Sequence, residues 1–157
     1  VEPQLLICDE PTSALDVSVQ AQILNLLRRL QASHRLSFLF ITHNLAVVDY
    51  LAHDVAVMYL GRIVERGSVD DVLRTPRHPY TQALLASAPT LPVAGADAPA
   101  ARPVLKVSGE LPSPVNPPSG CHFHPRCPQA MPQCREVYPG TTSLGATHAV
   151  HCHLYAR

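Results

Sequence analysis

An α/β fold with a parallel sheet is the class this sequence predicts, and three observations predict it. Leu5–Cys8 and "SFLFIT" (37–42) are short, nearly continuous apolar runs, the mark of strands buried on both faces of a parallel sheet. Between them Val19, Ile23, Leu26, Leu27 and Leu30 recur at three- and four-residue spacing, with Gln20, Arg28, Arg29 and Gln31 off that stripe. An amphipathic crossover helix between two such runs makes a right-handed βαβ unit. Third, the first run ends in two adjacent carboxylates, Asp9 and Glu10, then Pro11. Like charges side by side cost energy unless a cation or a reaction uses them, and α/β sheets place ligands outside the carboxyl ends of their strands.

The later elements follow in order. "HNLAVVDYLA" (43–52) predicts a short helix capped by the side chain of Asn44, and "DVAVMYLGRIVERG" (54–67) predicts two strands around Gly61. Ser68 and Asp71 have the spacing of a capping box that opens a helix over "VDDVLRT", with Pro76 closing it. Pro79 suits a first helical position, followed by an apolar stripe through Tyr80, Ala83, Leu84 and Ser87. Eight of the 16 prolines fall between Pro89 and Pro118, around "PVAGADAPAARP", which predicts an exposed linker or extended strap. The organisation expected is therefore an α/β part over 1–88, a Pro/Ala-rich linker over 89–118 and a Cys/His-containing tail over 119–157.

Charge is balanced, 12 basic against 12 acidic residues in a chain of 157, so no basic field points to nucleic acid. No apolar run approaches the roughly 20 residues that span a bilayer, and the reading is of a cytosolic chain. Val1 leads almost directly into a core-type strand without an initiating Met, so the chain is expected to begin inside a domain.

The chemistry expected at the strand ends is that of phosphates. Asp9 could hold Mg²⁺ directly or through its waters, since a hard cation prefers oxygen ligands. Glu10 could orient or deprotonate a water, and His43, at the end of the second strand, could stabilise charge on a transferring phosphoryl group. A solvated loop and a helix-capping His43 are the plainer alternatives.

"LLICDEPTSALD" resembles the Walker B strand and D-loop of ABC-type ATPases, and "FLFITHNL" resembles their switch-histidine region. The resemblance implies that Asp9 holds the Mg²⁺ of Mg-ATP, that Glu10 is the general base for the attacking water and that His43 contacts the γ-phosphate. It also implies that Ser13, Ala14, Leu15 and Asp16 form a D-loop that meets a second ATPase subunit. The family's P-loop, glutamine loop and signature motif precede its Walker B strand, and no G-x-x-x-x-G-K-[ST] occurs in these 157 residues. The expected fold is thus the carboxyl-terminal part of an ABC-type P-loop ATPase domain followed by the tail. By itself this chain is expected to be inactive, because the phosphate cradle is missing.

"RHPYT" (77–81), "GELPSP" (109–114), "PPSGCHFHPRCP" (117–128) and "HCHL" (151–154) resemble the tail of ATPase subunits of dipeptide, oligopeptide and nickel importers. That resemblance implies an ATP-hydrolysing subunit, peripheral on the cytoplasmic face of the membrane. Its partners would be a second ATPase subunit, two membrane permease subunits and, indirectly, an extracytoplasmic peptide-binding protein, with no nucleic acid. The rival classes are a DNA-repair or chromosome-maintenance ATPase, against which His43 and "RHPYT" count, and a non-enzymatic metal-binding remnant.

Cys121, Cys127, Cys134 and Cys152 are spaced C-x5-C-x6-C-x17-C. Clustered cysteines in a reducing compartment are more often metal ligands than disulfides. Four thiolates would complete a [4Fe–4S] cubane, one for each iron, as some members of the importer family carry in this tail. Zinc bound by Cys or by His122, His124, His151 and His153 is the alternative, and metal-free thiols a third. Cys8, inside the first core strand, is excluded from the set.

Overall fold

The computed structural model describes residues 3–88 and 107–156. They belong to two compact units that divide between His53 and Asp54. The expected linker lies largely outside the described residues; its remainder, 107–118, contains no helix or strand.

In the first unit β1 (Leu5–Asp9) pairs in parallel with β2 (Ser37–Ile41), in a register that sets Asp9 opposite Ile41. The crossover is α1 (Val17–His34), and α2 (Leu45–Leu51) follows β2. Asp16 starts α1 by accepting the backbone N–H groups of Ser18 and Val19, both at 3.0 Å, and Arg35 ends it in the left-handed conformation. Asn44 caps α2 as expected, accepting from the Ala46 N–H at 3.0 Å. The core of this unit is Leu24, Val47 and Leu51 with Phe40 against them, so the innermost residue of α1 is Leu24 and not a member of the expected stripe. The strands are not buried on both faces: Ile7 is 62 % and Leu39 52 % exposed. Among the described residues this sheet has two strands, and neither face is fully covered.

In the second unit β3 (Asp54–Tyr59) and β4 (Arg62–Ser68) form an antiparallel hairpin. Its loop, Leu60-Gly61, has positive φ at both residues (44° and 76°), as a two-residue type I′ turn requires. The capping box forms: the Ser68 N–H donates to Asp71 Oδ2 and the Asp71 N–H to Ser68 Oγ at 3.1 Å. What it opens is a π-helical turn, Asp70–Arg74, in place of the expected α-helix. Then comes α3 (Pro79–Ser87), with Pro79 in its first turn. Its buried stripe is His78, Thr81 and Leu85, one residue away from the face predicted. The His78 side chain caps this helix and is itself buried.

The tail adds α4 (Gln133–Glu136), β5 (Thr142–Ser143) and β6 (Ala149–Val150). β6 pairs with β4, giving a sheet of order β3-β4-β6-β5. Phe123, 1 % exposed, packs against Tyr59 and Tyr80 with ring centroids 5.3 and 5.4 Å away. No helix among the described residues is long and apolar enough to cross a membrane.

Candidate functional site

The parallel pairing of β1 and β2 brings two sequence-distant groups to one sheet end. The Glu10 N–H donates to the Ile41 carbonyl at 2.9 Å, continuing the ladder one residue past the strand. Glu10 itself has φ of +45°, a conformation uncommon for a residue with a side chain, which costs of the order of 1 kcal/mol and tends to mark functional positions. Its carboxylate accepts from His43 Nδ1 at 2.8 Å. Both groups remain open to solvent, at 41 % and 77 % side-chain exposure. Since a carboxylate only accepts, this contact places a proton on Nδ1, and Nε2 becomes a second donor only in the imidazolium form. Asp9 is exposed at the end of β1, one residue before the pair.

The turn after Glu10 is held by its own hydrogen bonds. Ser13 donates to the Glu10 carbonyl from both Oγ (3.0 Å) and N (3.2 Å), and Thr12, buried, accepts from Gln20 Nε2 at 3.0 Å. Ala14 and Leu15 face solvent. Asp16 is committed to capping α1, and the donors at its carboxylate, Val19 foremost, hold it below the usual carboxylate range. The resemblance placed Asp16 in the loop; its capping role follows from the N–H groups of Ser18 and Val19 at the start of the helix.

In the second unit a cavity is lined by all four tail cysteines together with Phe123 and His78. None of the five cysteines is in a disulfide, and Cys121, Cys134 and Cys152 are buried. Gly120 has φ of +61° and lies so close to the Cys134 carbonyl that a Cβ would overlap it, so only glycine lets these loops meet. Nearby backbone N–H groups, of Phe123 at Cys121, Gln129 at Cys127 and Leu154 at Cys152, act to lower these thiols. The Met131 N–H donates to Cys134 Sγ at 3.4 Å. These donors favour thiolates, but burial outweighs them at Cys121 and Cys127, raising both thiols. At Cys152 burial, joined by the charge of the other three, pushes the thiol up to about 11.

The histidines of the tail are spread out. His122 meets the Leu60 carbonyl at 3.1 Å, and His151 uses both ring nitrogens, on Thr141 Oγ1 and the Pro139 carbonyl. Neither lines the cysteine cavity, whereas His124 and His153 do. Among the described residues no group of three or more Cys, His, Asp or Glu side chains converges on a point that could hold a single metal ion.

Spacing gave no hint of Glu65. Fully buried in β4, its carboxylate accepts the N–H groups of Arg77 (2.7 Å) and His78 (2.9 Å) and the Nε2–H of His148 (2.8 Å). Asp71 holds the neighbouring tail residue, accepting from Thr147 Oγ1 at 2.8 Å. A glutamate amid the apolar residues of "RIVERG" is the available signal, because a charge inside a strand needs partners. Those partners are the backbone of "RHPYT" and the tail. Glu65→Ala is expected to destabilise this unit by about 3–5 kcal/mol in denaturant titration, since it strands two buried donors, the His78 N–H and the His148 ring, and a partly buried third, the Arg77 N–H; a loss below about 1 kcal/mol would show the network to be dispensable.

His78 completes that motif. Its Nδ1 accepts from the Tyr80 N–H at 3.1 Å and so caps α3, while burial, with the charge of His151, pushes its pKa down to about 4. With Nδ1 accepting, the ring proton sits on Nε2, and this buried atom has no hydrogen-bond partner.

Comparison with known proteins bears on both units. Residues 64–134, from the middle of β4 through Cys134, match the family model described as the oligopeptide/dipeptide transporter, C-terminal region. Along 99 % of its length the chain is 53 % identical to a probable peptide ABC transporter ATP-binding protein, y4tS, of Sinorhizobium fredii, of which it covers 43 %. It is 49 % identical over 99 % of its length to the oligopeptide transport ATP-binding protein AppF of Bacillus subtilis, covering 46 %. A third relative is the oligopeptide transport ATP-binding protein OppF of Salmonella typhimurium, 49 % identical over 97 % of this chain and covered to 44 %. The chain therefore spans rather less than half of each of these relatives. The stretch similar to that family model includes Glu65, the "RHPYT" segment and three of the four clustered cysteines, while Glu10 and His43 lie outside it, in the part aligned with the relatives.

Proposed function

We propose that the full-length protein is the ATP-hydrolysing subunit of an ABC importer for peptides. The observation that carries this reading is the Glu10–His43 pair, 2.8 Å apart and solvent-facing at the carboxyl ends of two parallel strands, within a chain about half identical to peptide transporter ATP-binding proteins. Asp9 would hold Mg²⁺ through an oxygen ligand, and Glu10 would take the proton of the attacking water. His43, its Nδ1 tied to Glu10, would turn Nε2 toward the γ-phosphate and stabilise charge on its oxygens. Ser13, Ala14, Leu15 and Asp16 would face a second ATPase subunit, the exposed Ala14 and Leu15 making the contact. Two permease subunits, served by an extracytoplasmic peptide-binding protein, would seat this dimer on the cytoplasmic face of the membrane. In the full-length subunit, His43→Ala is expected to lower the ATP turnover measured by phosphate release at least tenfold. Unaltered turnover would return His43 to an exposed loop residue beside a helix cap.

We further propose that Cys121, Cys127, Cys134 and Cys152 hold a metal centre, a [4Fe–4S] cluster in preference to zinc. Four thiols line one cavity, and burial resists ionisation of Cys121, Cys127 and Cys152 unless a cationic group compensates. A single zinc would draw its four sulfurs within about 4 Å of one another, at Zn–S of about 2.3 Å. A cluster accepts one thiolate at each of four irons and asks for no such convergence. Bound there, it would cross-link the loops that carry the cysteines and could supply one-electron chemistry.

A further inference from the structure

We propose that His78 is the hydrogen-bond donor to the sulfur-bound group held by Cys121, Cys127, Cys134 and Cys152. The inference rests on the metal-centre reading above and goes beyond it by assigning a fifth residue, from outside the cysteine set, to the centre.

The geometry supports it in three steps. His78 is 1 % exposed and lines the same cavity as the four cysteines. Its Nδ1 is an acceptor, occupied by the Tyr80 N–H, so its Nε2 carries a proton. That N–H finds no acceptor in the protein, not even a cysteine sulfur. Leaving a buried donor unpaired is costly, and such groups call for an explanation. His78 is also fixed against rotating away. Its backbone N–H is held by buried Glu65, Pro79 follows it, and its ring packs 6.0 Å from that of Phe123, which lines the cavity too. The sequence Arg77-His78-Pro79-Tyr80 thus builds a rigid donor: Glu65 anchors the main chain, the helix cap sets the ring, and one buried N–H is left without a partner in the protein.

Hydrogen bonds to the sulfurs of such a centre stabilise its more negative, reduced state. Two substitutions separate the ring's two duties. His78→Asn keeps an acceptor near Nδ1, and with it the cap, but removes the Nε2 donor; His78→Gln keeps an N–H near Nε2 and gives up the cap. In full-length protein purified anaerobically, the Asn variant is expected to have a more negative reduction potential than the parent. The Gln variant should stay near the parent value while losing thermal stability. A parent-like potential in the Asn variant overturns the inference, and loss of the centre from Asn but not from Gln supports it. If neither variant folds, the decision passes to the parent protein, reduced with dithionite and labelled with ¹⁵N-histidine. Nitrogen hyperfine coupling from a non-ligating imidazole is expected in its pulsed electron paramagnetic resonance spectrum and should persist when His124 and His153, which line the same cavity, are replaced by Ala; its absence, or its loss in that variant, overturns the inference. A parent protein without iron and sulfide defeats the metal-centre reading first, and is told apart by elemental analysis before any variant is made.

Discussion

In the full-length protein, Glu10→Gln is expected to slow ATP hydrolysis by roughly a hundredfold or more while nucleotide affinity stays near the parent value. Glutamine has almost the same size and can still hydrogen-bond to His43, but its amide cannot take a proton from water. The left-handed backbone at position 10 and the amide bond to Ile41 belong to the main chain and survive the change. Since the side chain is 41 % exposed, stability should shift by no more than about 0.5 kcal/mol, so a loss of turnover cannot be blamed on unfolding. An ATP-bound dimer should accumulate and be visible by gel filtration. Hydrolysis at the parent rate would remove Glu10 from the role of general base.

Serine at Cys121, Cys127, Cys134 or Cys152 is the second large change. Anaerobically purified parent protein should be brown, with iron and acid-labile sulfide near four of each per chain, on the stoichiometry of one thiolate per iron. Each serine variant should lose the colour and expose the loops around 119–134 to protease, because the loops that Gly120 allows to meet would lose the group that neutralises their sulfurs. Cys8→Ser should leave the colour intact, since Cys8 lies in β1 of the other unit. Stoichiometric zinc without sulfide would select the zinc alternative. Four freely alkylated thiols in native, metal-free protein would reject both.

Local order was legible wherever the signal was itself local. The Asn44 cap, the Ser68–Asp71 box and the turn at Gly61 each depend on residues within a few positions of one another, and each formed; the βαβ unit formed from elements that are each periodic or apolar by themselves. Burial was less legible. An apolar run states what a strand could bury, but not what covers it, and Ile7 and Leu39 stayed exposed. The buried face of α3 lies one residue from the predicted one, and His78, a polar residue by composition, is buried as its cap. At the candidate site the spacing put Glu10 and His43 at neighbouring strand ends, but their direct contact needed the register of β1 against β2. The cysteines announced themselves by type. Glu65 and His148 did not, since no pattern along a chain tells one residue which distant residue it will meet.

The pairing of β4 with β6 has a consequence for biosynthesis. Glu65 and His148 are 83 residues apart, so a ribosome working at 5–20 residues per second finishes the hairpin roughly 4 to 17 s before its sheet neighbour is made. For those seconds β4 is a free edge, the kind of surface on which nascent chains aggregate. Two charges stand where β6 will later pair, Glu65 opposite Val150 and Arg66 opposite Ala149. Solvated charges discourage the wrong neighbour during the wait, and one of them, Glu65, then identifies the right one by accepting the proton that His148 brings.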